Sequence, residues 1–284
     1  MSERKPIFLL SHPRCISHAF SRPFLQRSQD FHVFSEPFLD FFLHTDAQHS
    51  KDVKNGVADP SKHSNLSLFT PKVLSIFDDV WKTYYDETSK RPRRVFWHEH
   101  SLFLLKAIPG ISFLSNPQFL EMTHTFLIRN PEKSIRSLYK ATNFVIPKID
   151  EHCVNPGFDK NLVGLKQSKQ IFDFLKDLNK QPIVVDADDV INDPEGTLKK
   201  YCELIGEEFK EEMIKWEAKP INEFRFKGDC TTISELMNHN AENSTGFNKF
   251  TNKYEYPEIE YPQIVYDAIT DSKPYYDYLY QFRI

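Results

Sequence analysis

The stretch Pro6-Ile-Phe-Leu-Leu10, followed at once by Ser11-His-Pro-Arg14-Cys-Ile-Ser17-His18, decides the fold. Its five leading residues form an apolar run too short for a helix. Turn formers stop it, which predicts a buried strand. From Ser17 to Arg27 the pairs Ala19-Phe20 and Phe24-Leu25 recur at helical spacing. The chain therefore opens strand, tight loop, helix. A loop that enters a helix presents unpaired amide N–H groups and the positive end of the helix dipole. Arg14 adds a fork of donors and Ser17 a hydroxyl, so the loop reads as an anion cradle. A plain strand-to-helix turn with Ser17 as its cap is the simpler alternative.

Further runs of the same kind lie downstream. Arg94-Val-Phe-Trp97, His124-Thr-Phe-Leu-Ile128 and Ile183-Val-Val185 read as three more buried strands. Helices are expected over 36–43, from Thr70-Pro71 to Asp86, from Ser101 to Ala107, and from Pro131 to Phe144 with Asn130 as cap. Two more are expected from Leu162 to Asn179 and from Pro194 to Ile205. Thr45 to Ser67 is polar and reads as a mobile surface loop, and the chain from about Ala218 reads as irregular and aromatic. Four strands alternating with helices predict an α/β fold of three layers: a central, mainly parallel sheet with helices on both faces. All 284 residues are assigned to one such domain.

Composition narrows the function. Lys and Arg total 36 and Asp and Glu 40, a formal net charge of -4, which argues against a general nucleic-acid binder. Apolar residues make up 40% and no apolar stretch approaches a membrane span of about 18 residues. No apolar run of signal-peptide type follows Met1 to Pro6, so a cytoplasmic protein is expected. Cys15, Cys153, Cys202 and Cys230 are scattered without a CxxC pair, which points to reduced thiols and no structural metal. Eight glycines leave no GxGxxG and no GxxxxGK[ST]. The oligomeric state is left open, a homodimer included.

Ligands of open parallel sheets bind outside the carboxyl ends of the strands, so the residues there carry the function. Arg129 follows the third run, and Ser137, eight residues on, lies about two helical turns further along. One guanidinium and one hydroxyl could grip a second phosphate. His98-Glu99-His100 follows the second run. In extended chain the two histidines point the same way, and histidine suits proton removal from a hydroxyl. A two-histidine metal site lacks a clear third ligand in the sequence, and no metal is expected.

Pro13-Arg14-Cys15-Ile16-Ser17, His98-x-His100 and Arg129-x7-Ser137, in that order on those elements, resemble the sulfotransferase family. Glu36-Pro37-Phe38, Met213-Ile-Lys-Trp216-Glu and Ser244-Thr-Gly-Phe247 look like a subgroup of bacterial and fungal sulfotransferase-like proteins. The segment from Asp188 to Gly206 resembles the family's fourth strand and helix. The resemblance covers about Pro6 to Phe250. It implies a P-loop NTPase-like fold and the donor 3'-phosphoadenosine-5'-phosphosulfate (PAPS), with 3'-phosphoadenosine-5'-phosphate (PAP) as product. It implies sulfuryl transfer to a hydroxyl or amine of a small, apolar acceptor, with no metal. His100 would be the base, Arg14 would neutralise the bridging oxygen, and His98 would stand where a lysine precedes the base. Arg14, Ser17 and the amides of Cys15, Ile16, Ser17 and His18 would hold the 5'-phosphosulfate. Arg129 and Ser137 would hold the 3'-phosphate.

The chain departs from the family pattern with Arg14 for lysine, Ile16 for glycine and His98 for lysine. Its nearest match to the family's Arg-Lys-Gly phosphate loop is Arg225-Phe-Lys227-Gly228-Asp229. Two other functions stay open. One is a related enzyme that dehydrates or cyclises a phosphorylated or sulfated metabolite. The other is a non-catalytic nucleotide- or anion-binding protein.

Overall fold

Alternation of side chains along one strand explains how the molecule is layered. In β1 (Ile7–Ser11), Ile7 and Leu9 point to one face of the sheet and Phe8 and Leu10 to the other, and all four are buried. Both faces are covered, which is why the run is continuously apolar. The computed structural model describes residues 4–38, 93–106, 116–145, 157–225, 231–247 and 259–284, together with positions 78, 82 and 114.

Around β1 the described chain builds α1 (Ser17–Gln26), β2 (Phe31–Ser35), β3 (Arg94–His100), α2 (Ser101–Lys106), α3 (Pro117–Glu121), β4 (Thr123–Ile128) and α4 (Pro131–Lys140). Then come α5 (Leu165–Asp177), β5 (Ile183–Asp186), α6 (Ala187–Asn192), α7 (Pro194–Ile205), α8 (Thr231–Asn243) and α9 (Gln263–Tyr280). All pairings are parallel, in the order β2-β3-β1-β4-β5. This is a three-layer α/β architecture with a parallel central sheet. One face packs Phe8, Trp97, Phe126 and Val184 against α2, α5 and α9. The other packs Leu9, Phe96, Leu127 and Val185 against Phe20 and Phe24 of α1 and Leu198 and Tyr201 of α7. Burying an aromatic or branched side chain contributes about 1.5–3 kcal/mol each, so these two layers dominate the stability.

Local signals set the helix starts. Asn130 caps α4 by accepting from Glu132 N (2.9 Å), with Pro131 at the first position. Asp186 caps α6 through Asp188 N, and Asp193 caps α7 through Gly196 N. The fragments 213–217 and 244–247 pair with each other: Trp216 N donates to Thr245 O (3.2 Å) and Trp216 Nε1 to Ser244 Oγ (3.0 Å). At the sheet end remote from the ligand edge, Arg27 and Arg94 converge on the Glu207 carboxylate, whose side chain is 1% exposed.

Several expectations need correction. Among the described residues the sheet has five strands, because Phe31-His-Val-Phe-Ser35 is an edge strand. β3 runs on through His100, so the histidines belong to the strand and do not follow it. Ile16, not Ser17, occupies the cap position of α1. The α-helix from Pro131 ends at Lys140 and passes into a π-helical turn, Ala141–Val145. The segment beyond 218 carries two helices, of 13 and 18 residues. The 45–67 loop lies outside the described residues, as does the 70–86 helix apart from helical positions 78 and 82. No described helix is long and apolar enough to cross a membrane.

Candidate functional site

β1 connects to β2 on one side of the sheet and β4 to β5 on the other, so the loops after β1 and β4 diverge and leave a crevice at the strands' carboxyl ends. The loop after β1 turns on two left-handed residues, Arg14 (φ 65°) and Ile16 (φ 66°), flanking Cys15. This conformation costs a non-glycine residue about 1–2 kcal/mol and is kept only where surroundings enforce it. Two contacts enforce it here. Arg129 Nη1 donates to Arg14 O (2.9 Å), and Gly164 lies so close that a Cβ there would meet His12 Cβ at 3.2 Å. Alternating left-handed residues turn successive amides inward, a shape suited to anions. α1 begins with no side-chain cap, so its first N–H groups keep their donors.

Arg14 and Arg129 share one side of the crevice. Arg14 Nε donates to Ser137 Oγ (3.1 Å), and Arg14 Nη1 lies 3.8 Å from Met237 Sδ. Arg129 Nε is buried and has no hydrogen-bond partner among the described residues, while Arg129 N donates to His12 Nε2 (3.1 Å). The sequence assigned Arg14 and Ser137 to opposite ends of one ligand; the structure joins them directly. Arg225, the described part of the expected phosphate loop, is paired to Glu242 (2.7 Å), and 226–230 lie outside the described residues.

Histidines gather beside this crevice. Register places Ser11 opposite His100 and Leu9 opposite His98. Ser11 Oγ stands 2.8 Å from His98 Nε2 and 2.7 Å from His100 Nδ1. Glu36 closes the group from the end of β2. Its N–H donates to His98 O (2.8 Å) and its backbone is left-handed, with a φ of 50°. Glu36 Oε1 is 3.1 Å from His100 Nε2 and 3.6 Å from His98 Nε2, and Oε2 is 3.7 Å from His18 Nε2. Glu99 points to the other face, where it accepts from Phe38 N (2.7 Å) and His100 N (2.9 Å).

Burial sets the charges. It pushes His98 well below the usual imidazole range and His18 below it, against the pull of Glu36. Burial would raise the Glu36 carboxyl, but the neighbouring His100, His18 and His98 outweigh it and hold it below the ordinary carboxylate range. His12 falls to about 3 through burial first and then His100 and Arg129, so it stays neutral and accepts at Nε2. Burial lifts the Cys15 thiol to about 11, which removes it as a nucleophile at neutral pH.

Ser11, His12 and Glu36 are the site residues that sequence reasoning did not assign. Glu36 also brings a buried carboxylate beside His98 and His100, for which the sequence showed no third donor. The signal for it was faint: the alternation Phe31, Val33 ahead of Ser35-Glu36 is too short to mark a strand by itself.

Comparison with known proteins gives relatives at a distance. The chain is 27% identical over 271 residues to "Branched-chain-amino-acid aminotransferase-like protein 2" of Arabidopsis thaliana, covering 95% of this chain and 40% of that protein. It is 28% identical over 279 residues to "Branched-chain-amino-acid aminotransferase-like protein 1" of the same plant, covering 98% and 42%. The chain thus spans about two-fifths of the length of these relatives. No family model matches. Among solved structures, the sulfotransferase domain from the curacin biosynthetic pathway has a TM-score of 0.47 at 15% identity, covering 95% of this chain and 98% of that one. Mouse sulfotransferase SULT7A1 complexed with PAP has a TM-score of 0.42 at 11% identity, covering 74% of this chain and 61% of that one.

Proposed function

We propose that this chain binds PAPS and transfers its sulfuryl group to a hydroxyl, or an amine, of a small apolar acceptor. The observation that carries the proposal is the shared crevice of Arg14, Arg129 and Ser137, entered by a left-handed loop that leads into an uncapped helix. The donor set fits an adenosine compound with anionic groups at both its 3' and 5' ends: among the described residues the buried Arg129 Nε has no partner, and α1 starts without a side-chain cap. The part of each Arabidopsis relative that aligns is the smaller part of it, so the name of the whole protein need not describe the aligned part.

PAPS supplies an activated sulfuryl group, and its transfer, like phosphoryl transfer, asks the protein for positioning and charge stabilisation. The amides of Cys15, Ile16, Ser17 and His18 and the Ser17 hydroxyl would bind the 5' end. Arg129 and Ser137 would bind the 3'-phosphate. Arg14 touches Ser137 through Nε and Arg129 through its carbonyl, and its charge would stabilise the oxygen that departs. Guanidinium hardly deprotonates, so Arg14 acts here by charge and not as a proton donor. His100 would take the acceptor's proton at Nε2, where Glu36 Oε1 at 3.1 Å holds the resulting charge and Ser11 fixes the ring through Nδ1. His98, kept neutral by burial, lines this pocket by hydrogen bonding and not as a cation. Phe103 beside His100 (6.1 Å between ring centres) and Phe224 beside His18 (4.5 Å) would exclude water and favour an apolar acceptor.

Calorimetry with PAP tests the proposal first. Saturable binding in the micromolar range supports it, and its absence counts against it. Sulfate transfer from labelled PAPS to a panel of phenols, alcohols and amines then separates an enzyme from a binder.

A further inference from the structure

We propose that His18, Glu36 and His98 form a binding site for one divalent first-row transition metal, of the zinc or iron(II) class. Three separate elements deliver the donors: α1 gives His18, the end of β2 gives Glu36 and β3 gives His98. One ligand atom from each lies within 4.8 Å of the others. The carboxylate reaches both imidazoles, one with each oxygen: Glu36 Oε1 is 3.6 Å from His98 Nε2 and Oε2 is 3.7 Å from His18 Nε2. These are too long for hydrogen bonds. They are close to the spacing of two donors sharing a cation at about 2.0–2.2 Å, which stand about 3.3–3.6 Å apart in a tetrahedral shell.

The carboxylate calls for a cation. The side chain of Glu36 is 2% exposed, and among the described residues its ion-pair contacts are all with histidines. Elsewhere this fold neutralises buried carboxylates with arginine: Glu207 meets Arg27 and Arg94, and Glu242 meets Arg225. Around Glu36 the protein offers imidazole nitrogens instead. Among the described residues, His18 Nε2 and Glu36 Oε1 are buried atoms with no hydrogen bond of good geometry. Two imidazoles and a carboxylate are a donor set for zinc with an open position, or for non-haem iron(II). Ser11 Oγ, 2.8 Å from His98 Nε2, has one hydrogen to give. Turned to Glu99 O (3.5 Å), it leaves the His98 lone pair to the cation, while Ser11 Oγ accepts from His100 Nδ1. His100 Nε2 lies beside the group, 3.1 Å from Glu36 Oε1.

The test is calorimetric titration of the EDTA-treated, dialysed chain with ZnCl2, with Co2+ as a spectroscopic substitute. One saturable site of micromolar affinity or tighter is expected, with Co2+ giving visible absorption bands that saturate at one equivalent. Glu36→Gln and His18→Ala should each weaken zinc at least tenfold, while His239→Ala leaves it unchanged. Lack of saturable zinc binding by the unaltered chain overturns the proposal. Equal affinity in Glu36→Gln and His18→Ala also overturns it, since surface histidines then hold the metal. If either variant fails to fold by near-ultraviolet circular dichroism, the Co2+ titration of the unaltered chain decides alone: bands at one equivalent support the site, and their absence overturns it. PAP binding measured in EDTA keeps the two proposals separate. A chain that takes PAP but no zinc loses this site only, and one that takes zinc but no PAP loses only the sulfuryl-transfer proposal.

Discussion

Arg129→Ala offers a quantitative probe of the crevice because its two roles can be measured apart. One role is structural: Nη1 holds the carbonyl of Arg14 at 2.9 Å. Losing one such hydrogen bond costs about 1 kcal/mol, which lowers Tm by about 2–4 °C in a domain of 150–250 residues and somewhat less in this longer chain. The other role is ligand binding, through donors that include the buried, unpartnered Nε. A charge-assisted hydrogen bond contributes about 1.5–3 kcal/mol, so PAP affinity should fall about 10- to 150-fold. Adenosine 5'-phosphate lacks the 3'-phosphate and serves as the reference ligand. Calorimetry on both proteins with both ligands forms a cycle. The variant should lose most of the preference for PAP over adenosine 5'-phosphate, with the affinity for the latter changed only slightly. If both ligands weaken equally, Arg129 acts through the loop alone, and the assignment of a 3'-phosphate contact is wrong.

Three further outcomes are expected. His100→Gln should lower turnover with PAPS about 100-fold while PAP affinity stays unchanged by calorimetry; an unaltered rate removes His100 as the base. Gly164→Ala forces a Cβ to φ +83° and to within 3.2 Å of His12 Cβ, so it should lose about 1–2 kcal/mol of stability and also weaken PAP; Gly206→Ala, at φ +72° with nothing within 4 Å, should lose stability by denaturant titration without touching PAP. Burial lowers the His124 pKa from 6.5 to about 4, so the folded state binds fewer protons than the unfolded state between those values. Stability is then lost as pH falls from 6.5 towards 4, by about 3 kcal/mol from this group, with His12 acting in the same sense. Urea titrations across that range should show a shallower acid slope in His124→Gln, and an identical slope refutes the assignment.

What the sequence revealed follows from burial on both faces. β1, β3, β4 and β5 are buried almost throughout and each holds an unbroken apolar run, so Ile7-Phe-Leu-Leu10 or Ile183-Val-Val185 stands out without help from its surroundings. β2 is an edge strand whose His32, Phe34 and Ser35 are half-buried, and its mixed pattern blends into the polar stretch before it. α9 buries Val265, Ala268, Ile269, Ser272, Tyr276 and Leu279, a legible helical stripe, but Pro274 on its exposed side reads as a breaker. Arg14, Arg129 and Ser137 were legible because strand ends are where ligands sit. Glu36 was not, because its place depends on a strand that the pattern hid and on a left-handed turn that no local residue type announces.

The bend after β1 has a wider consequence. Most chains would put glycine at positions such as 14 and 16; here an arginine and an isoleucine are held there by Arg129 and by the clearance at Gly164. The curvature is therefore a property of the assembled molecule and not of the thirteen-residue segment from Pro6 to His18. Excised as a peptide or grafted onto a foreign scaffold, that segment should relax and lose its cradle. Damage far along the chain, in the stretch around 164, should in turn surface first as failed ligand capture, well before the protein unfolds.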